Sequence, residues 1–432
     1  MTPTQEQLDV IFSDDKEIYL PSLAGTGKTT TLIEYTKIHK YSKILYIVRN
    51  TKMRMEAVMR FPERVDCHTG HSLAYGVFGK GYEVSDLELS KIAEVTGLTI
   101  RESYEVSKLL TSYFGSSVGE IKDINSPLVS QAEVVWSKIK NKEIPMPHDG
   151  YLKLYQLSRP DLSHYDIILV DEFQDISAAL YDIVDNQPGS VRVYVGDMNQ
   201  QIYGFSGAIN GFAGKSIKYR LVQSFRFGPE IAAVANRILE TSGTNERVIG
   251  TDNIDSVVLH PDQDPDDDEH QTIIFRTNTL LFNEAISMTR KGIPISIEDA
   301  DNIFNRILNA LNLKERKPII NDKYIESFKN FNDFYAAAKV ISEFKFILKL
   351  INNYGPELRE SIKSLQRLSC RDAKFHLITA HKAKGLEFVN VRLANDFAKI
   401  ESASREELNL IYVAATRATH YLTPNKDLQS IL

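Results

Sequence analysis

Directly after the apolar run at residues 17–20 the chain reads Ser22-Leu23-Ala24-Gly25-Thr26-Gly27-Lys28-Thr29-Thr30. This follows the phosphate-loop pattern G-x-x-x-x-G-K-[ST], with Ser22 at the position of the first glycine. Gly25 and Gly27 free the backbone to curl so that its N–H groups face phosphate oxygens. Lys28 brings a point charge to the β and γ phosphates, the Thr29 hydroxyl suits Mg²⁺, and Ala24, Thr26 and Thr30 complete the cradle. A helix starting here adds the positive end of its dipole. The competing reading is a chance Gly-Lys-Thr turn, against which a preceding strand and a following helix argue.

Further apolar runs of strand length recur at residues 44–48, 165–170, 191–195, 273–275 and 389–393, with helical patterns separating them. Such alternation predicts an α/β fold with parallel sheets covered by helices, in two blocks. Residues 1–74 and 164–218 are expected to form a first core interrupted by a helical insertion at 75–163. Residues 219–313 and 370–432 are expected to form a second, interrupted by a short helical insertion at 314–369. For 432 residues this division agrees with the two to four domains that length alone suggests.

A chain that is 43% hydrophobic and 25% charged is neither wholly disordered nor collagen-like. Its first residues, Met1 to Gln7, lack a basic region followed by an apolar stretch, and no apolar run approaches the roughly 20 residues that cross a bilayer. The expectation is a soluble, intracellular protein of cytoplasm or nucleoid with no membrane partner. Cys67 and Cys370 are too few for a disulfide framework or a cysteine zinc site, and both are expected as core thiols.

A net charge of −6 argues at first against nucleic acid, yet the six acids Asp262, Asp264, Asp266, Asp267, Asp268 and Glu269 account for all of it. Residues 306–374 instead hold 14 Lys and Arg against 8 Asp and Glu, with Tyr324, Phe328, Phe331, Phe334, Phe344 and Phe346 interleaved. That mixture suits single strands. The helical spacing favours the other reading, an amphipathic helical segment with core aromatics and a solvated basic face.

The strand ending at Val170 runs into Asp171-Glu172-Phe173-Gln174-Asp175. One carboxylate at such a tip can hold Mg²⁺ while its neighbour orients and deprotonates an attacking water; the lesser alternative for the pair alone is an acidic helix cap. Beside a phosphate loop the pair points to NTP hydrolysis. After the strand at 191–195 comes Gly196-Asp197-Met198-Asn199-Gln200-Gln201-Ile202-Tyr203-Gly204-Phe205. Gln200 is placed to sense a γ phosphate. Tyr203 and Phe205 are either base-stacking rings or core.

With these motifs in order, the chain resembles the superfamily 1 DNA helicases of the UvrD/Rep/PcrA type. Within them it is most similar to the F-box DNA helicase branch, through Leu45-Tyr46 to Phe61-Pro62, Thr69-Gly70-His71-Ser72-Leu73-Ala74-Tyr75 and His148-Asp149-Gly150-Tyr151-Leu152-Lys153-Leu154. Gln223-Ser224-Phe225-Arg226, Phe275-Arg276-Thr277-Asn278, Thr379-Ala380-His381-Lys382-Ala383-Lys384-Gly385-Leu386-Glu387-Phe388 and Tyr412-Val413-Ala414-Ala415-Thr416-Arg417-Ala418 resemble the later motifs in sequence order.

The resemblance implies two RecA-like cores with ATP between them. Lys28, Thr29, Asp171, Glu172 and Gln200 would come from the first, and Arg226 and Arg417 would reach across as arginine fingers. It also implies that Gln7 reads adenine, with Gln5 as its rival, that Phe225 stacks on adenine, and that Glu387 meets the ribose. Asn50, His71, Tyr203, Phe205 and Asn278 would touch DNA. The implied activity is an ATP-dependent 3′-to-5′ translocase and helicase on single strands and single-strand/duplex junctions, acting as a monomer. The alternative is a translocase that strips a recombinase or single-strand-binding protein with little unwinding.

Arg49 stands where the family has a base-contacting aromatic, Gly70 replaces a Phe, and Ser206 replaces an Arg. Only six residues precede Gln7, so an F-box and its ligase role are not expected. The second insertion is also shorter than the family's accessory subdomain.

Overall fold

The computed structural model describes residues 2–204, 211–263, 270–298, 300–370 and 372–432. The chain divides into two compact units, residues 1–98 with 102–225, and residues 99–101 with 226–432.

The first unit is built on five strands, β1 (Glu17–Pro21), β2 (Ile44–Val48), β3 (Val65–Thr69), β4 (Ile167–Val170) and β5 (Val191–Gly196), in the order β1-β5-β4-β2-β3. Every pairing is parallel, with Ile44 opposite both Val65 and Ile167, and Leu20 opposite Val195. The continuous apolar character of β2 and β4 follows from burial on both faces, the usual state of a parallel sheet. Side chains alternate between two cores. Ile18, Leu20, Ile44, Tyr46, Leu169 and Val193 pack with Leu32, Ile33 and Tyr35 of the helix Lys28–Ile38. Tyr19, Leu45, Ile47, Ile168 and Tyr194 pack instead with the insertion, represented by Val106, Trp136 and Tyr151.

The division after Phe225 lies seven residues beyond the expected change-over at 218. The cause is backbone pairing: Leu221 N donates to Pro21 O at 3.0 Å, Leu23 N to Leu221 O at 3.0 Å, and Phe225 N to Gly25 O at 2.8 Å. These bonds tie residues 221–225 to the phosphate loop.

The second unit carries β6 (Val257–Val258), β7 (Gln271–Phe275), β8 (Ile295–Ile297), β9 (Phe375–Thr379), β10 (Phe388–Leu393) and β11 (Ala418–Thr423), ordered β6-β11-β10-β7-β9-β8 and again all parallel. Between β8 and β9 the chain is helical from Ala300 onward. Phe328, Phe334, Phe344 and Phe346 are all buried there against Phe282, Phe304 and Ile347. The phenylalanines of the basic segment therefore serve the core, and the amphipathic reading accounts for their spacing; Tyr324 and Tyr335, 37% and 42% exposed, stand outside it. Cys67 is buried as expected, whereas Cys370 is exposed because it follows the helix Leu358–Leu368 in the connection to β9. Among the described residues no helix is long and apolar enough to cross a membrane.

Candidate functional site

The phosphate loop leaves the carboxyl end of β1. Gly25 and Gly27 both adopt φ of 74°, the left-handed region that glycine enters without steric cost, so both glycines are required by the backbone path. Gly27 caps the helix Lys28–Ile38, whose first N–H groups thus open toward the loop. Lys28 Nζ donates to its own loop, at 3.2 Å to Leu23 O and 3.4 Å to Ser22 O. Ala24 and Thr26 are buried and Thr30 is exposed. Ser22, at the first-glycine position, is buried and bonds Leu20 O through its hydroxyl at 3.0 Å.

Two distant side chains converge on Gly27. A Cβ built there would lie 3.0 Å from Gln7 Nε2 and 3.6 Å from the Phe225 ring. Gln7 is buried; its amide donates to Thr31 Oγ1 at 3.1 Å and accepts from Thr4 N at 3.0 Å as half of a capping box. Gln5, by contrast, is exposed and bonds Asp9 at 2.7 Å.

At the tip of β4, Asp171 is buried and takes a hydrogen bond from Tyr46 OH at 2.6 Å and another from Thr29 Oγ1 at 3.3 Å. Burial pushes its carboxyl up, the neighbouring Glu172 adds to this, and Tyr46 and Lys28 pull it back. Glu172 sits at φ 54°, a left-handed conformation that costs a non-glycine residue on the order of 1–3 kcal/mol. Its carboxylate accepts from Gln174 Nε2. The other end of that amide accepts from Asp197 N at 2.9 Å, and Asp197 Oδ2 accepts from Gln200 Nε2 at 2.7 Å. A chain of hydrogen bonds thus runs from Glu172 to Gln200 through two buried residues.

In the second unit Arg226 forks onto Glu387, with Nε 2.8 Å and Nη2 2.7 Å from Oε1, and gives Nη1 to Thr416 O at 3.1 Å. Arg417 is 1% exposed and donates to Val413 O at 2.8 Å, Leu386 O at 3.2 Å and Thr416 Oγ1 at 3.2 Å. The structure therefore brings Arg226 together with Glu387 and holds Arg417 on backbone carbonyls. Asn278 opens the helix Asn278–Arg290, half-buried, next to its cap Thr277.

Of the residues assigned to DNA, Asn50 caps the helix Thr51–Arg60, accepting from Met53 N at 2.9 Å. His71 Nε2 meets Asp149 Oδ1 at 2.9 Å. A cavity of about 260 Å³ opens beside His71, lined by Arg49, His71, Asp149, Glu172 and Asp175. Tyr203 carries the Arg49 guanidinium carbon 3.4 Å from its ring centroid, and Arg49 also pairs with Asp175 at 3.0 Å. Phe205 and Ser206 lie outside the described residues.

Sequence reasoning missed Tyr46, Gln174 and Asp197. Tyr46 looks like one more apolar residue in a strand, and only the pairing of β2 with β4 sets it beside Asp171. Gln174 and Asp197 were within view, each in a motif already singled out. Their partnership depends on the contact of β4 with β5, which no local pattern encodes.

A phosphate loop after β1 and paired acids after β4, with β5 between the two strands of a RecA-like parallel sheet, define a P-loop NTPase core, here followed by a second parallel-sheet unit. Residues 155–216 match the UvrD/REP helicase N-terminal domain and residues 374–423 the UvrD-like helicase C-terminal domain. Both units thus carry a stretch similar to the UvrD-like helicases. The chain is 30% identical to F-box DNA helicase 1 of Gallus gallus over 96% of its own length and 48% of that protein's. It is likewise 30% identical to F-box DNA helicase protein 1 of Schizosaccharomyces pombe, over 95% and 55%, and 26% identical to a probable DNA helicase of Mycoplasma pneumoniae, over 60% and 42%. The chain spans about half the length of these relatives.

Proposed function

We propose that this protein is an ATP-hydrolysing DNA helicase that moves 3′-to-5′ on single-stranded DNA. The observation that carries the reading is the assembly around β1 and β4. Lys28 and the loop glycines form a phosphate cradle, with Asp171 held by Thr29 and Tyr46 at its side and Glu172 poised by Gln174. The similarity to proteins named as DNA helicases supports DNA as the polymer.

The donor set fits Mg²⁺: Asp171 Oδ2 and Thr29 Oγ1 are hard oxygens 3.3 Å apart, and a carboxyl pushed up by burial gains from a cation. When bound, the ion would offset charge on the β and γ phosphates. Lys28 leaves its carbonyl partners for phosphate oxygens. Glu172 takes the proton of the attacking water, and Gln174 keeps its carboxylate aimed. Gln200 senses whether the γ phosphate is present and, through Asp197 and Gln174, shares its state with Glu172. Arg226 and Arg417 act as fingers on the transferred phosphoryl group, a role that rests on the family pattern and is worth roughly 10³ to 10⁵ in rate when present. Gln7 and Phe225 hold adenine, Glu387 the ribose, and Asn50, His71, Tyr203, Phe205 and Asn278 the DNA strand.

A second reading, a translocase that displaces proteins from single strands with little unwinding, draws on the short second insertion, whose phenylalanines serve the core of the second unit. Unwinding of a 3′-tailed forked duplex, compared with displacement of a protein bound to the same tail, tests the choice. Efficient unwinding supports the helicase; displacement alone supports the translocase, and neither activity in the presence of ATP contradicts both.

A further inference from the structure

One face of Tyr203, a ring assigned to the DNA strand, is covered by Arg49. Arg49 Cζ lies 3.4 Å from the ring centroid, a separation at which the planar guanidinium must lie nearly parallel to the ring, because a tilted plane would drive a nitrogen into it. No base fits between them. Arg49 follows β2 directly, and its Nη1 donates to Asp175 Oδ2 at 3.0 Å. The Asp175 side chain is 1% exposed, whereas that of Arg49 is 32% exposed. Displacing the guanidinium to admit a base would strip a buried carboxylate of its arginine partner, an unfavourable exchange. The guanidinium is held on one face by Tyr203 and at its edge by Asp175, and the Arg49 side chain keeps 32% of its surface exposed.

We propose that the outer plane of Arg49 is a base-stacking platform for single-stranded nucleic acid, and that Tyr203 and Asp175 are positioning residues that hold it flat. The inference rests on the nucleic-acid reading above and changes which side chain meets the base. Arginine planes stack on unpaired bases as aromatic rings do, and stacking tolerates any base. The acids on the adjoining cavity wall, Asp149, Glu172 and Asp175, make a phosphate an unfavourable occupant of the same place. The position that departs from the family's aromatic thus keeps a plane while gaining a charge.

The test uses the full chain, a poly-dT oligonucleotide and an abasic strand of the same length and charge, with binding followed by fluorescence anisotropy. Arg49→Lys keeps the charge and loses the plane. It is expected to weaken binding of the base-bearing strand by about 5- to 150-fold, the range of one stacked base, while leaving the abasic strand and the salt dependence as in the unmodified protein. Arg49→Phe combined with Asp175→Asn supplies a plane without charge or stranded carboxylate, and is expected to preserve the preference for base-bearing DNA. Equal effects of Arg49→Lys on both strands, or loss of the preference in the double variant, overturn the platform. Binding of neither strand by the unmodified protein overturns the nucleic-acid reading itself, and the platform with it.

Discussion

Tyr46 donates its phenolic hydrogen to Asp171 at 2.6 Å, and the bond joins two strands whose side chains share a buried face. Burial and the neighbouring Glu172 raise the Asp171 carboxyl, while the Tyr46 hydroxyl and Lys28 lower it. Tyr46→Phe removes the largest of the lowering effects. Asp171 will then take a proton at higher pH, so ATP turnover will fall away sooner as the medium is acidified. A kcat profile measured between pH 5 and 9 checks this: the acid limb of the variant moves to higher pH. Superimposable limbs would detach Tyr46 from the working carboxylate.

The link between Glu172 and Gln200 passes a glycine that has no room for a methyl group. A Cβ on Gly196 would fall 2.2 Å from Gln174 Oε1 and 2.9 Å from Phe173 N. Gly196→Ala should therefore displace Gln174 and release Glu172, lowering kcat by about a hundredfold, as small misplacements at a reacting centre do. Overpacking should also cost about 1–3 kcal/mol in urea unfolding. Unchanged turnover in a folded variant would show that the amide chain is dispensable.

Lys153 is fully buried, with Nζ 2.9 Å from Ser116 O and a further bond to Val118 O, and it lies over the Tyr113 ring at 4.5 Å. Lys153→Met would strip two half-buried carbonyls, Ser116 O and Val118 O, of their shared donor, a loss of about 1–3 kcal/mol that equilibrium urea unfolding would register. Burial also pushes the amine down to about 8. The unfolded chain then holds this proton more firmly than the folded one, so Lys153 makes stability rise with pH from about 8 to the ordinary lysine range near 10.4. The rise should be missing in the methionine variant.

Much of this architecture is legible in the sequence. The apolar runs of β1, β2, β4, β5, β7 and β10 announce themselves because both faces of a parallel sheet are buried. β3 does not: Val65-Asp66-Cys67-His68-Thr69 alternates polar with apolar residues, since Asp66 and His68 are only half-buried at the sheet edge. β11 hides similarly, as Thr419, His420 and Tyr421 interrupt its apolar residues. At the site, the residues that would touch phosphate are readable from spacing. The residues that hold them, Tyr46, Gln174 and Asp197, emerge only from strand neighbours. The basic, aromatic segment at 306–374 shows the opposite failure, a composition suited to a strand-binding surface whose rings instead fill a core.

Gln7 and Phe225 meet over Gly27 from opposite ends of the first unit. Gln7→Ala is expected to raise the KM for ATP by about tenfold, the worth of a lost hydrogen bond, and to narrow the preference for ATP over GTP. Loss of the capping box will cost roughly 1 kcal/mol of stability as well. The ATP-to-GTP ratio of kcat/KM separates the two effects, because a purely structural residue would leave that ratio where it was.

The central claim, that this chain converts ATP hydrolysis at Lys28 and Glu172 into work on a DNA strand, is tested most directly by ATP turnover. The rate is measured with and without single-stranded DNA, in the unmodified protein and in Lys28→Ala, with RNA as a parallel ligand. The account predicts turnover that DNA stimulates and that the variant loses both with and without DNA. Turnover surviving in Lys28→Ala, or a rate indifferent to either nucleic acid, would contradict it.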